Sequence, residues 1–209
     1  MLTINEIFYS IQGESSWAGE PCIFIRLTAC NLRCTYCDTA YAFYDGKKMS
    51  IQEILKEIQK FNCKLVEVTG GEPLLQEESY PLMDILVDNS YKVLLETSGS
   101  ILVNKVNPKV IKIIDFKTPS SQMTHHNLWA NLSHLNTQID EVKFVIGDRS
   151  DYEWSKSVIT QYGILNRCHK VLMSPTHTVL DPGTLGRWIR DDSLPIKLQV
   201  QFHKYLKMS

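Results

Sequence analysis

No stretch of this chain approaches the roughly 18 consecutive apolar residues that a membrane-spanning helix needs. The opening "MLTINEIFYS" has no basic segment followed by an apolar one, so no secretory signal is read and a cytosolic protein is expected. Neither sign of charge dominates: 22 Lys and Arg stand against 23 Asp and Glu, a net charge of −1. A protein built around nucleic acid carries a basic excess, so nucleic acid is not expected as a partner. There is no internal repeat, no low-complexity tract and no Pro/Gly/Ser-rich linker, and residues 1–209 read as one domain. Nor is there a second close pair of cysteines of the kind that completes a structural zinc site.

The rest is ordinary for a globular protein with a core of its own: 44% apolar and 22% charged residues over 209 positions. In a reducing compartment, six cysteines point to metal or redox chemistry before disulfides.

Short apolar runs alternate with segments of helical periodicity. Strands are expected at "CIFIRLT" (22–28), "KLVEVTGGEP" (64–73), "YKVLLETSG" (91–99), "PKVIKIIDFK" (108–117), "DEVKFVIG" (140–147), "HKVLMSPTH" (169–177) and "IKLQVQFHKYL" (196–206). Helices are expected at 50–61, 80–89, 126–135, 151–162 and 181–191. Ser50 with Glu53, and Ser150 with Glu153, have capping-box spacing, and Asp181 precedes a Pro at the first helical position. About seven strands alternating with helices predict an α/β fold with a largely parallel sheet, a partial barrel or a doubly wound sheet. Polar and glycine residues gather at the C-terminal strand ends: 30–39, 69–73, 96–99, 115–121 and 174–177. Ligands of α/β folds bind at that edge.

The stretch "LTACNLRCTYCDTAY" (27–41) sets Cys30, Cys34 and Cys37 in C-x3-C-x2-C spacing. Thiolates bind zinc or the iron of iron–sulfur clusters. Cys22, Cys63 and Cys168 are isolated beside apolar runs and read as small buried hydrophobes. A zinc site would need a distant fourth ligand such as His177. A cubane held by three cysteines instead keeps one iron open to a small molecule.

The spacing, its place just after the first of these strands and the aromatic Tyr36 before the last cysteine resemble the signature of radical S-adenosylmethionine enzymes. "TGGEPLL" (69–75) resembles the second motif of that superfamily. Together, "EIFYSIQGES", "FIRLTACNLRCTYCDT", "TGGEPLLQ" and "LQVQFHKYL" resemble the 7-carboxy-7-deazaguanine synthases over most of the chain. The resemblance implies a partial TIM-type (βα)6-like barrel with its site at the C-terminal strand ends. It implies radical-mediated ring contraction of 6-carboxy-5,6,7,8-tetrahydropterin to 7-carboxy-7-deazaguanine, with loss of ammonia, on the route to queuosine. The cofactors implied are a 4Fe-4S cluster, S-adenosylmethionine and Mg2+. The partners implied are the pterin, a reductant such as flavodoxin or ferredoxin, and a second copy in a homodimer.

Site residues follow from the same resemblance. Cys30, Cys34 and Cys37 would hold the cluster and Thr39 the Mg2+, a hard hydroxyl suiting a hard ion; a capping hydroxyl is the alternative for Thr39. Ile11, Gln12, Gly13, Glu14, Arg26, Thr69 and the terminal Ser209 would bind substrate, with Glu14 and Arg26 at the catalytic positions. An Arg within "IFIRL" needs a partner, either the substrate carboxylate or a core acid. "IQG" alternatively reads as a hairpin turn. Tyr36, Cys37, Asp38, Gly71, Glu72, Ser98, Asp115, Lys117, Ser174, Pro175, Thr176 and His177 would contact S-adenosylmethionine, with Gly71 and Glu72 at its amino group. His203 reads as packing. The family pattern has Gly where Ser15 stands and Ser-Pro where Asp115-Phe116 stands. Two other functions stay open here: a glycyl-radical-enzyme activase, and a non-catalytic zinc or iron–sulfur protein.

Overall fold

The computed structural model describes residues 1–207. Nine strands form one sheet: β1 (Leu2–Ile11), β2 (Pro21–Leu27), β3 (Lys47–Met49), β4 (Leu65–Gly70), β5 (Lys92–Thr97), β6 (Ile111–Phe116), β7 (Glu141–Ile146), β8 (Lys170–Pro175) and β9 (Lys197–Leu198). Their order is β3-β1-β2-β4-β5-β6-β7-β8-β9. β1 runs antiparallel to β2 and β3; every neighbouring pair from β2 to β9 is parallel. From β2 onward the order never reverses. A doubly wound sheet reverses at its switch point, so this is the partial-barrel alternative.

The helices are α1 (Ile51–Ile58), α2 (Ser79–Asp88), α3 (Arg149–Gln161), α4 (Pro182–Asp191) and α5 (Phe202–Leu206). Strand periodicity divides the sheet into two faces. Val66, Val68, Val93, Leu95, Ile114 and Phe116 face outward and pack with Ile54, Leu82 and Tyr152 of the helices in the main core. The inward parity is split along its length. At the N-terminal ends Cys22, Phe24, Leu65, Leu94, Ile111 and Ile113 form an apolar floor. Two residues further along the same faces stand Arg26, Glu67, Glu96 and Asp115.

Several expectations need correction. The long strand β1 and the short β3 were not anticipated from their half-exposed sequences. The expected helix at 126–135 is two 3-10 segments, Thr124–His126 and Trp129–His134. There the buried Asn131 bonds to Val103 N, Gly99 O and Ile101 O, which holds the segment as a loop against the sheet end. α3 is capped by Asp148, whose side chain accepts from Asp151 N; Ser150 lies inside the helix. The expected last strand at 196–206 pairs only over Lys197–Leu198 and then turns into α5. Phe202 N donates to Gly13 O at 2.8 Å, which draws the chain off the sheet and across the barrel mouth.

Candidate active site

The C-terminal strand ends open into one cavity of about 590 Å³. The loop after β2 supplies its first wall. Arg33 stacks on Phe43 with 4.3 Å to the ring centroid and donates to Cys30 O, folding residues 30–44 back on themselves. Thr35 Oγ1 donates to Ser120 O at 2.6 Å, and the Tyr36 hydroxyl lies 3.3 Å from Thr118 Oγ1, which ties the loop to the end of β6. Cys30, Cys34 and Cys37 are unpaired, partly buried and line the cavity together. Burial pushes the Cys30 and Cys34 thiols up, and it pushes the Tyr36 phenol up to about 12. Among the described residues no three His, Cys, Asp or Glu side chains converge on a single ion. A cubane asks for a different arrangement, one thiolate at each of three irons.

The Thr69–Gly71 turn supplies the next wall. Gly70 has φ +146°, and a side chain there would strike the Leu27 backbone; one on Gly71 would strike the carbonyl of Ala29. Gly71 N and Glu72 N donate to Leu27 O and Ala29 O, so the turn lies backbone to backbone against the cysteine loop. Only glycine allows that approach. Thr69 and Gly71 line the cavity, but Glu72 does not. Its fully buried carboxylate accepts from Leu74 N, the Thr97 hydroxyl, Ser98 N at 2.8 Å and Ser98 Oγ at 2.5 Å. In this structure the carboxylate expected at a cofactor amino group accepts from those neighbours and positions Ser98, and Ser98 faces the cavity.

The β1–β2 hairpin closes the opposite side. Ile11, Gln12, Gly13 and Glu14 all line the cavity, so "IQG" is both a hairpin end and a wall of the site. What approaches Gly13 closely is His203 of α5, whose ring occupies the space a side chain would need. His203 thus packs on the hairpin, and it also lines the cavity. Ser15 has φ +62°, the left-handed backbone that suits the glycine of the family pattern. Arg26 Nε pairs with Glu6 Oε1 at 2.7 Å on β1. Among the described residues its terminal guanidinium nitrogens have no hydrogen-bond partner, and the residue faces the cavity. Thr39 precedes a 3-10 turn but makes no capping bond. Its hydroxyl lies 3.7 Å from Cys37 Sγ and opens on the cavity.

Asp38, Ser174, Thr176 and His177 also line the cavity, while Pro175 does not and is buried behind it. Asp115 Oδ2 pairs with Lys117 at 3.1 Å and with Lys143 at 3.4 Å. Among the described residues, Asp115 Oδ1 and Thr176 Oγ1 are buried without any protein partner. Ser209 lies outside the described residues.

Lys143, Glu67 and Glu96 complete the charged floor and are not among the residues expected from the sequence. Lys143 contacts Glu14 at 2.7 Å and also Glu96, with its own side chain 4% exposed. Burial pushes Glu14 up, but the charge and hydrogen bond of Lys143, with Gln201 and His203, together bring it down to about 2; burial raises Glu96. Gln199 and Gln201 donate to the two Glu14 oxygens at 3.1 and 2.9 Å, and Lys204 pairs with Asp38 at 3.1 Å. The signal was available: Glu67, Glu96 and Lys143 interrupt apolar runs as Arg26 does, each at the inward parity of its strand.

A family model described as the radical SAM superfamily matches residues 24–115. The chain is 46% identical over 207 residues to a 7-carboxy-7-deazaguanine synthase of Chlorobaculum tepidum, covering 98% of this chain and 94% of that protein. It is 46% identical to the protein of the same name from Koribacter versatilis, covering 98% and 96%. Among solved structures it resembles QueE from Escherichia coli, with a TM-score of 0.80 at 24% identity over 97% of this chain and 94% of that one. At that identity the likeness concerns the fold.

Proposed function

The chain belongs to the radical S-adenosylmethionine superfamily and, within it, to the 7-carboxy-7-deazaguanine synthases, and we propose that the cavity at its strand ends is the active site. The protein converts 6-carboxy-5,6,7,8-tetrahydropterin to 7-carboxy-7-deazaguanine with release of ammonia, in 7-deazapurine biosynthesis. One observation supports the assignment of the site above others: the three cysteines, Arg26, the 11–14 hairpin end and the Thr69–Gly71 turn line a single cavity.

The lining suits the cofactors of the family. Cys30, Cys34 and Cys37 would hold a 4Fe-4S cluster at three irons. The orphaned acceptor Asp115 Oδ1 and the orphaned hydroxyl of Thr176 offer hydrogen bonds that a polar ligand would satisfy. When bound, the reduced cluster and S-adenosylmethionine supply a carbon-centred radical able to take a hydrogen from the substrate and return it.

The protein's own part is binding, orientation and exclusion of water. Tyr36, Asp38, Gly71, Ser98, Asp115, Lys117, Ser174, Thr176 and His177 would surround S-adenosylmethionine. The free guanidinium nitrogens of Arg26 would pair with the substrate carboxylate, a geometry a planar fork serves well. Gln12, Gly13, Glu14 and Thr69 would hold the ring. Thr39 would supply an oxygen to Mg2+, its hydroxyl being uncommitted to any cap. The enzyme would work in the cytoplasm as a homodimer, reduced by a flavodoxin or ferredoxin.

The test is anaerobic reconstitution followed by incubation with the pterin, S-adenosylmethionine, Mg2+ and a reductant. About four irons per chain, formation of the deazaguanine and no net consumption of S-adenosylmethionine are expected. Cleavage to 5′-deoxyadenosine with the pterin untouched would refute the substrate.

A further inference from the structure

Among the ionisable side chains of the cavity that the mechanism above does not use, one stands apart. Glu67 stands on the inward face of β4, two residues before Thr69; it is 3% exposed and lines the cavity. The other carboxyls of the floor have cations: Glu14 and Glu96 contact Lys143, and Asp115 pairs with Lys117 and Lys143. Among the described residues Glu67 has no ion pair. Its hydrogen-bond partner is the amide of Gln12, whose Nε2 donates to Glu67 Oε2. The sense of that bond is fixed from the other side, because Gln12 Oε1 accepts from Glu14 N at 3.0 Å. Glu67 Oε1 has no protein partner among the described residues, yet it is not among the sealed, unsatisfied atoms. It therefore opens on the cavity.

A carboxyl in this position is poorly placed to ionise. Burial, and then the charges of Glu96 on β5 and Glu14 in the hairpin, push Glu67 well above the usual carboxylate range, against the pull of Lys143 on β7. The Cys22 thiol of β2 is itself pushed up by burial. A neutral acid offers one donor and one acceptor, whereas a carboxylate offers acceptors only.

We propose that Glu67 is a further substrate-binding residue that works as a neutral carboxylic acid: Oε2 accepts from Gln12, and the Oε1 hydroxyl donates to a ring carbonyl or imine nitrogen of the bound heterocycle. The contact rests on the pterin reading above. It makes Glu67 a specificity residue, since an ionised carboxylate would turn away an acceptor atom and demand an N–H in its place.

Two substitutions separate the possibilities. Glu67→Gln keeps an acceptor for Gln12 and a donor for the cavity; Glu67→Ala removes both. Binding of 6-carboxy-tetrahydropterin and of S-adenosylmethionine is measured anaerobically on the reconstituted proteins, alongside KM and kcat. Infrared difference spectra of wild type and Glu67→Gln report the carbonyl stretch of a protonated carboxyl. Glu67→Gln is expected to stay within about threefold of wild type for the pterin, and Glu67→Ala to lose roughly ten- to a hundredfold. S-adenosylmethionine binding is expected to be unchanged in both. The protonated-carboxyl band is expected in wild type, shifted by pterin and missing from Glu67→Gln. Equal losses in Gln and Ala, an Ala variant that binds pterin like wild type, or no such band in wild type would overturn the proposal. If Glu67→Ala fails to fold, Glu67→Gln and the infrared band decide. A wild type that turns over S-adenosylmethionine but does not bind the pterin overturns the assigned function, and this contact with it.

Discussion

Replacing Lys143 with Met leaves one buried and two half-buried carboxylates without the ammonium they share. Lys143 lies 2.7 Å from Glu14 and 3.4 Å from Asp115, and it also contacts Glu96; none of the three acids is more than a quarter exposed. Removing one partner of a buried pair costs about 3–5 kcal/mol; Glu14 and Glu96 lose their ion pair, while Asp115 keeps Lys117. In a domain of this size that corresponds to a melting point lower by roughly 6–20 °C. The pH dependence gives a sharper test. In wild type Glu14 is held down at about 2, so its contribution is fully present above the ordinary carboxylate range and fades only as pH falls toward that value. In Lys143→Met the main counterweight to burial is gone, so Glu14 is lifted and Glu96, already raised in wild type, is lifted further. Such groups contribute fully below the unfolded value and lose that contribution as pH rises through the folded one. The gap between wild type and variant should therefore be widest near about pH 8 and narrow toward about pH 5. Thermal melts of both proteins under anaerobic conditions across that range make the comparison. A constant gap, or one that widens on acidification, would refute the role given to Lys143.

Glu72→Gln should destabilise the fold by about 1–3 kcal/mol, since an NH2 replaces an oxygen that accepts from buried donors. Through Ser98 it should also weaken S-adenosylmethionine binding; melting point and cofactor affinity both unchanged would contradict the positioning role. Thr39→Ala should raise the Mg2+ concentration needed for half-maximal turnover while leaving iron content intact, and an unaltered Mg2+ titration would remove Thr39 from the ion. Ser15→Gly should be close to neutral, as relief of roughly 1 kcal/mol of left-handed strain offsets loss of the Ser15 Oγ bond to Trp17 N at 3.2 Å. Ser15→Val should be clearly destabilising, and a Val variant that melts with wild type would show that the turn relaxes.

How much of this could be read from the sequence depended on the range of the interactions. The six parallel strands β2, β4, β5, β6, β7 and β8 were legible because each is a dense apolar run bounded by turn residues. β1 was not, because a half-exposed strand of mixed residues such as "LTINEIFYSI" owes its state to pairing with β2 and β3. The terminal "IKLQVQFHKYL" alternates like a strand, yet its Gln199 and Gln201 side chains bind Glu14, 185 and 187 residues away. No local pattern carries that information. The same holds for Asn131, whose three backbone partners replace a helix that the spacing of Leu128, Leu132 and Leu135 suggests. In the site, motif residues were legible because their chemistry is written at fixed spacing. The charged floor is assembled one residue per strand, and only the parity of each strand reveals it.

Parity also decides the place where this chain leaves its family pattern. At Asp115-Phe116 the two side chains point to opposite faces of β6. Phe116 is fully buried on the outer face, 4.6 Å from the ring of Trp129, and so cannot touch a ligand in the barrel. Asp115 faces inward, where a carboxylate without compensation would be costly. Compensation is built in on two sides: Lys117 follows two residues later at the strand end, and Lys143 is its direct partner in the β6–β7 register. One oxygen is then fully used and Oδ1 is left buried and unpaired. An acceptor left in that state beside Cys34, Tyr36 and Lys117 is a stability cost that a ligand with a donor group would cancel. Asp115 thus offers this edge of the site an acceptor and no donor, where a hydroxyl would offer both.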